Sequence, residues 1–389
     1  MEGLPEVLDK LYKCGRCGFC QAYCPTFKAE GAEPFVARGR LEIIKANIGC
    51  KGEEYEEGFI NRMNQCLLCG NCTEHCPSGV EVDSIIESAR ISYMEAKGPS
   101  KVMDNLDRNI AATGNIAGHE AKNRLLWVEN SLEELKDIKI NKPAEYAYFT
   151  GCVPSLYPSA YSIPQSLVKI LNSAKTSVTL LGEEENCCGY PLAIGGLPEE
   201  AKKVAEKNVN TLDMLGIKKL ITGCPSCYHM WKDYYPELLG YNPEVQIFHS
   251  TELLLQLLNE GELKLKETSM VVTYHDPCDL GRKSHIFEPP REIIRKMPGV
   301  VLKEMKYNRL ESRCCGGGGN LEMNDAELSL KVSQDRVNQA LDTGAAAIVT
   351  ACQQCKRTLQ AGARSMKTRI KVYDISEFIC IGLENKQEA

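Results

Sequence analysis

The spacing of its cysteines constrains this chain more than any other feature of its sequence. All but two of the 20 cysteines in its 389 residues fall into spaced groups, and only Cys50 and Cys380 stand apart. This cysteine density is too low for a small disulfide-bonded scaffold. Patterned thiols in a chain of this length instead indicate metal ligands.

Two of the groups lie in the first 99 residues, and each has the form C-x2-C-x2-C-x3-C-P. This run is the bacterial ferredoxin signature for cubane 4Fe-4S clusters, in which the fourth cysteine binds the other cluster. We therefore predict two cubane clusters. Their ligands are Cys14, Cys17, Cys20 and Cys76 for the first, and Cys66, Cys69, Cys72 and Cys24 for the second. A pair of tetrathiolate zinc sites is the alternative, although duplicated runs that end in proline favour iron.

The rest of the chain, from about residue 144, contains an internal repeat at an offset of about 127 residues. The triplets 187–189 and 314–316, both Cys-Cys-Gly, mark matching points of the two units. Within each unit, short apolar runs alternate with amphipathic helices, which in the first unit are expected near 198–215 and 226–235. This alternation indicates βαβ units around a parallel sheet. Because the cysteines follow the ends of strands, we expect the thiols of a unit to gather at the carboxyl edge of its sheet.

We predict an α+β multidomain fold with four parts. A helical two-cluster ferredoxin-type domain covers 1–99, a helical connector covers 100–143, and two duplicated α/β Cys-Cys-Gly domains cover 144–262 and 263–389. The apolar residues of 40–47 and 82–90 have helical spacing, which supports the first part. The charged, periodic stretch over 125–136 favours helix in the connector.

Each Cys-Cys-Gly domain carries five patterned thiols, which is one more than a four-iron cubane binds singly. They are Cys152, Cys187, Cys188, Cys224 and Cys227 in the first domain, and Cys278, Cys314, Cys315, Cys352 and Cys355 in the second. Adjacent cysteines cannot easily bind separate corners of one cube, so an opened cluster with a bridging thiolate is the natural use of each set. The alternative is a three-ligand zinc site with two structural cysteines.

Twinned Cys-Cys-Gly domains behind a two-cubane module resemble heterodisulfide reductase of the CoB-CoM type, in its D-type form, which corresponds to its C and B subunits joined. The resemblance covers nearly the whole chain and implies a noncubane 4Fe-4S cluster bound by each set of five thiols, with a small disulfide substrate between the two clusters. It also implies that the adjacent pairs, Cys187 with Cys188 and Cys314 with Cys315, take part in catalysis. Electrons would pass through the cubanes to the noncubane clusters and reduce the disulfide to two thiols.

A more distant resemblance keeps a second function open. The segments 17–20 (Cys-Gly-Phe-Cys), 38–40 (Arg-Gly-Arg) and 76–80 (Cys-Pro-Ser-Gly-Val) are similar to the iron-sulfur subunits of glycolate and lactate oxidases. The chain would then be an electron relay in a flavin-linked 2-hydroxy-acid oxidase or an electron-bifurcating reductase complex. Both redox functions need a flavin- or haem-containing partner subunit, because the sequence has no nucleotide-binding fingerprint of its own. A zinc-organised interaction module is the third alternative.

Composition narrows the choice of partners. A formal net charge of −6 makes nucleic acid an unlikely main partner. No run reaches the roughly 18 apolar residues of a membrane span, and the N-terminal residues lack the layout of a signal peptide. We therefore expect a cytoplasmic protein whose membrane association, if any, comes through a partner.

Several residues carry weaker signals. His229, His275 and His285 lie near cysteine groups, so each is a candidate proton donor or else a structural histidine. Residues 282–296 include five basic side chains, which would suit an anionic sulfonate or phosphate, although such runs are more often solvated helix faces. The four glycines of 316–319 permit a nest of backbone amides near a negative cluster. We expect Cys50 and Cys380 to be buried thiols.

Overall fold

The computed structural model describes residues 4–49, 55–131, 135 and 138–384. In its described N-terminal region, all regular secondary structure is helical. The α-helices span Leu8–Tyr12, Phe19–Tyr23, Pro25–Glu30, Ala37–Ala46, Glu57–Asn64, Asn71–Glu74 and Val82–Lys97, with 3-10 turns at Leu4–Val7 and Glu33–Phe35. Ile85, Ile86 and Ala89 of the last helix are fully buried in a core shared with Leu11 and Leu41. This core holds the two cysteine runs in one helical module.

The connector is helical at first and ends in a strand. Helix Lys101–Thr113 is capped by the Ser100 side chain, and it is followed by the 3-10 turn Ala121–Leu125, the short helix Leu126–Glu129 and strand β1 (Lys139–Ile140). The prediction of a wholly helical connector is therefore wrong at its end, because a two-residue strand leaves no periodic signal. Much of the stretch 132–137 lies outside the described residues.

The first α/β unit is built on a parallel sheet of five strands in the order β1-β3-β2-β4-β5. Its strands are β2 (Tyr146–Phe149), β3 (Val178–Leu180), β4 (Lys219–Thr222) and β5 (Gln246–His249), together with β1. Its helices span Cys152–Leu156, Ser162–Ser173, Tyr190–Ala193, Pro198–Leu215, Pro225–His229, Tyr235–Leu239 and Ser250–Asn259, with a π-helical turn at Met230–Tyr234. Strand β2 is buried along its whole length, as expected when helices cover both faces of a parallel sheet.

The second unit repeats this arrangement with four parallel strands in the order β7-β6-β8-β9. They are β6 (Met270–His275), β7 (Val300–Leu302), β8 (Ala347–Thr350) and β9 (Lys371–Asp374). The helices are Glu288–Lys296, Leu321–Asn324, Ala326–Leu341, Gln353–Ser365 and Ile375–Gly382. The predicted fold class, a helical two-cluster module followed by two duplicated α/β domains, is confirmed.

One apolar core joins the two α/β units. Leu253 and Leu254 of the first unit share it with Ile293, Phe378 and Ile379 of the second, and all five side chains are buried. The units therefore meet through a continuous interior, and residues from both can line one site. Within the described part of the chain, none of the helices combines the length and the hydropathy that a membrane span requires.

Candidate metal centres

The first ferredoxin-type group lies at the surface of the helical module. Cys14, Cys17, Cys20 and Cys76 all line one cavity, so the fourth thiol of the second run lies beside the first run. Burial raises the pKa of Cys20. Cys17 is exposed, and the neighbouring Phe19 is 58% exposed.

The second ferredoxin-type group lies deeper. Cys24, Cys66, Cys69 and Cys72 line a separate cavity, which is the exchange of fourth thiols that two ferredoxin cubanes require. Burial raises the pKa of Cys66 and, with the nearby Cys66 and Cys69 thiols, raises that of Cys72 well above its ordinary value. Raised pKa values at Cys66 and Cys72 are expected for buried thiols before a bound cation displaces their protons.

A buried arginine holds the backbone of this second group. Arg90, which is fully buried, donates to the carbonyls of Met63 and Cys66 at 2.8 and 2.9 Å, and also to those of Ile194 and Gly319. It therefore ties the helical module to both α/β units. Sequence reasoning missed it, because an arginine on an amphipathic helix is ordinarily expected at the surface.

In the first α/β unit, the five thiols come together beyond the ends of the strands. Cys152 follows β2, Cys224 follows β4, and the pair Cys187–Cys188 follows the turn after β3. All five line a cavity of about 190 Å³. Hydrogen-bonding contacts run from Cys152 to Cys187, on to Cys188 and Cys227, and from Cys227 to Cys224.

The connector supplies a charged neighbour to this set. Arg124 donates to the sulfur of Cys152 at 3.4 Å and to the Glu185 carboxylate at 2.9 Å. Glu185 also accepts the N–H groups of Thr150 and Gly151, each at 2.8 Å. Burial raises the pKa of Glu185 although Arg124 opposes the shift. Arg124 had no sequence signal, because it lies 28 residues before the cysteine that it contacts.

The second α/β unit gathers its five thiols in the same order. Contacts run from Cys278 to Cys314, on to Cys315 and Cys355, and from Cys355 to Cys352. The second cysteine of the adjacent pair also has a lowered pKa in both units. Contacts with the preceding cysteine lower the pKa of Cys188 to about 6, and they also lower that of Cys315.

The second set of five also touches the helical module. The Cys314 thiol is in hydrogen-bonding contact with Cys69, and this contact lowers the pKa of Cys69 to about 6. The glycine run allows this approach, because a Cβ on Gly318 would lie 2.6 Å from the Leu67 carbonyl oxygen and one on Gly319 would lie 2.3 Å from that of Cys66. Of the nest of amides expected at the glycine run, the structure shows one N–H group, that of Gly317, which donates to the Cys315 sulfur at 3.4 Å.

The three candidate histidines have different surroundings. A ring nitrogen of His275 lies within 4.8 Å of the sulfurs of Cys315 and Cys355. Burial lowers the pKa of His275. His229 pairs through Nδ1 with the Asp233 carboxylate at 2.6 Å, whereas His285 is exposed. Only His275 is therefore placed directly beside a cysteine set in the described part of the chain.

The basic segment 282–296 is largely engaged inside the protein. Arg282 donates to the Cys69 carbonyl at 2.7 Å, and Arg291 forms buried ion pairs with Asp276 and Glu304. Arg282 and Arg291 therefore do not present a surface to an anion. Arg295 and Lys296 are exposed, so the solvated-helix-face alternative holds for these two residues.

Of the two cysteines outside the spaced groups, the structure describes Cys380 but not Cys50. Cys380 is half-buried and donates to the Ser166 carbonyl at 3.4 Å, so the expectation of full burial is wrong. Cys50 lies outside the described residues.

The donor chemistry of these groups fits iron-sulfur clusters. Burial and neighbouring thiols raise the pKa well above the ordinary value at Cys152, Cys227, Cys314 and Cys355. A bound cation relieves that cost by stabilising the thiolates. Sulfur-only sets of this kind suit iron-sulfur clusters or zinc.

The wall of the 190 Å³ cavity opposite the first set of thiols comes from the second α/β unit. It consists of Gly317, Asn320, Glu322, Met323, Gln353, Gln354 and Arg357. Gln353 is 1% exposed, and both polar atoms of its amide lack a hydrogen-bond partner among the described residues. Buried amides without partners are rare, so this one is available to a bound molecule.

Comparison with known proteins agrees with this organisation. The 4Fe-4S dicluster domain family matches residues 10–80, and the cysteine-rich domain family matches 146–232 and 272–360. The chain is 34% identical to the D-type subunit of dihydromethanophenazine:CoB–CoM heterodisulfide reductase from Methanosarcina acetivorans, over 95% of this chain and 93% of that protein. It is 28% identical to EtfAB:quinone oxidoreductase from Syntrophomonas wolfei, over 98% of this chain and 59% of that protein. A hypothetical protein from Helicobacter pylori shares the fold at a TM-score of 0.59 and 12% identity, covering 92% of this chain and 70% of that one.

Proposed function

This chain belongs to the family of iron-sulfur oxidoreductase subunits that includes the D-type subunit of heterodisulfide reductase, and on that premise we propose that it reduces a disulfide of the CoB–CoM type. The observation that carries the proposal is the 190 Å³ cavity, which has a complete set of five thiols on one wall and the second α/β unit on the other. A pure electron carrier does not need an internal cavity at its last cluster.

We propose that the first two thiol groups hold cubane 4Fe-4S clusters and that each set of five holds a noncubane 4Fe-4S cluster. The domain boundaries proposed with them are 1–99, 100–143, 144–262 and 263–389. When bound, the clusters supply single electrons and Lewis-acidic iron that accepts a thiolate sulfur. The reaction consumes two electrons and two protons for each disulfide and releases two thiols.

The chain's own residues select and orient the substrate. Ile116, Val153 and Met323 form an apolar part of the cavity lining, against which a disulfide would pack. Arg357 is the one cation among the lining residues; it pairs with Glu322 and lies over the Tyr157 ring, 5.2 Å from its centroid. An anionic substituent on the substrate would compete with Glu322 for this guanidinium.

A buried hydrogen-bond network holds a proton close to the cavity. Tyr190 lines the cavity, and its hydroxyl accepts from the Lys283 ammonium at 2.9 Å. Burial disfavours the charge on Lys283, but the Asp279 carboxylate at 3.4 Å, together with Tyr234, Glu87 and Asp83, outweighs burial and raises the pKa of Lys283 well above the usual value. Lys283 therefore stays protonated, one side chain away from the place where a product thiolate would form.

Electrons would enter at the first ferredoxin-type group, where Cys17 and Phe19 are exposed. They would leave the second group through the contact between Cys69 and Cys314. Because the partner must deliver electrons at an exposed edge, we propose a flavin- or haem-containing subunit that docks near Phe19.

The test is a titration of anaerobic, fully loaded protein with coenzyme M and coenzyme B, followed by electron paramagnetic resonance. We expect a new paramagnetic species when the oxidised protein binds a product thiol. Cys188→Ser or Cys315→Ser should abolish both this species and dye-linked disulfide reduction, while the cubanes still reduce. Cys380→Ser, outside every group, is the matched control. An unchanged spectrum with both thiols in loaded protein would refute the assignment.

Electron relay is the second candidate. The contact between Cys69 and Cys314 supports a relay as well as it supports disulfide reduction, because a relay needs closely spaced clusters and no substrate. In that case the chain would serve a flavin-linked 2-hydroxy-acid oxidase or an electron-bifurcating complex. Thiols would then leave the spectrum unchanged, and the Cys188 and Cys315 variants would slow electron transfer to the partner with no disulfide dependence.

A further inference from the structure

The two α/β units differ at one position beside their thiols. His275 is the last residue of β6 and pairs in register with Thr350, whereas Phe149 is the last residue of β2 and pairs with Thr222. The histidine and the phenylalanine are therefore matched by topology. A polar ring lies next to the second set of thiols, and an apolar ring occupies its place in the first unit.

The hydrogen bonds of His275 fix which of its nitrogens carries the proton. Nε of Arg336 donates to Nδ1 of His275 at 3.0 Å, and both side chains are buried. An arginine N–H can only donate, so Nδ1 must present its lone pair. In the neutral ring the proton then lies on Nε2, which has no hydrogen-bond partner among the described residues. A protonated Nε2 cannot be an iron ligand.

We propose that His275 is a positioning residue for the cluster of the second unit, donating its Nε2–H to the sulfur of Cys315 rather than binding iron. The proposal accounts for a buried Nε2–H group that otherwise lacks an acceptor, on a ring with one nitrogen within 4.8 Å of the sulfurs of Cys315 and Cys355. Hydrogen bonds to cluster sulfurs stabilise the more negative, reduced state and raise its reduction potential. The reduction potential of the second cluster is thereby set separately from that of the first. The inference rests on the proposed cluster at the second set of thiols but not on the identity of the substrate.

The experiment is a potentiometric titration of the loaded protein, monitored by electron paramagnetic resonance, for native protein and His275→Phe. The variant places in the second unit the residue that the first unit has. We expect unchanged iron content and a second-cluster potential lower by at least 59 mV, which is a tenfold change in the ratio of reduced to oxidised cluster for one electron. Cys315→Ser identifies the signal of the second cluster by its loss.

The control is His119→Phe. His119 is an exposed histidine of the connector and belongs to none of the thiol groups. This control should leave the second-cluster potential where it is. His275→Gln, which retains an N–H donor, should show at most half of the shift of His275→Phe. If His275→Phe fails to fold, His275→Leu, which also lacks a donor, takes its place.

Pulsed resonance supplies a second readout. A donated hydrogen bond predicts an exchangeable proton coupled to the second cluster and only weak coupling to nitrogen. Three results would overturn the proposal: strong nitrogen coupling, loss of about four iron atoms in His275→Phe, or an unchanged potential in that variant. None of these three results changes the outcome of the titration of native protein with coenzyme M and coenzyme B. Failure of the proposed function would therefore be recognised separately from failure of this inference.

Discussion

Removal of the Arg124 side chain tests how the first set of thiols is supported. Arg124 and Glu185 are 2% and 3% exposed, and they form a buried ion pair at 2.9 Å. Arg124→Met leaves the Glu185 carboxylate buried without a cation. Breaking such a pair from one side costs about 3–5 kcal/mol.

The assay is differential scanning calorimetry of the anaerobic, loaded protein. The two α/β units share one core and together span residues 144–389, and for about 150–250 residues each kcal/mol lowers the unfolding midpoint by about 2–4 °C. We therefore expect the transition of the joined α/β units to fall by about 6–20 °C in Arg124→Met. Iron content should be retained, because no predicted ligand is altered.

Arg108→Met is the matched control. Arg108 pairs with Asp104 on the surface, where the two side chains are 72% and 38% exposed. Exposed pairs of this kind contribute about 0–1 kcal/mol, so this variant should hardly move the midpoint. Equal midpoints for the two variants would refute the reasoning.

The pH dependence of Arg124→Met gives an independent check. Burial already raises the pKa of Glu185, and loss of Arg124 removes an opposing effect. A carboxyl whose folded-state pKa lies above its unfolded value contributes most stability at low pH and loses it as the pH rises. The deficit of the variant relative to the native protein should therefore shrink between pH 8 and pH 5, and a constant deficit would contradict the assignment to Glu185.

Three further predictions concern other parts of the chain. Cys69→Ser should abolish the signal of the second cubane and lower bound iron from about sixteen to about twelve atoms; loss of all clusters together would contradict the proposed domain division. Gly319→Ala should slow dithionite reduction of the Cys-Cys-Gly clusters in stopped-flow absorbance, because its Cβ would lie 2.3 Å from the Cys66 carbonyl oxygen, whereas Gly58→Ala, with open space around it, should not. Asp374→Asn should gain stability relative to the native protein in thermal melts as the pH rises from about 4 to 8. Burial raises the pKa of Asp374 from 3.8 to about 7, so its contribution to stability is lost over that range, while asparagine does not ionise.

The sequence alone was sufficient for the cysteine groups, the repeat and the class of fold. Spacing within a ferredoxin-type run is local, so it is visible without any knowledge of the tertiary structure. The alternation of strands and helices is equally local, and the helix expected over 198–215 spans Pro198–Leu215. The prediction was less accurate for the next helix of the first α/β unit. The helix expected near 226–235 is interrupted by a π-helical turn at Met230–Tyr234 and ends only at Leu239.

Tertiary structure decided which neighbours the thiols have. The contact of Cys69 with Cys314, the donation from Arg124 to Cys152 and the position of His275 beside Cys315 all join residues from separate elements. Hydrophobic periodicity records only which face of an element is buried, and not which element packs against that face. An arginine or a histidine beside the thiols therefore looks like any other polar residue in the sequence, and only the packed chain shows that it lies close to a cysteine sulfur.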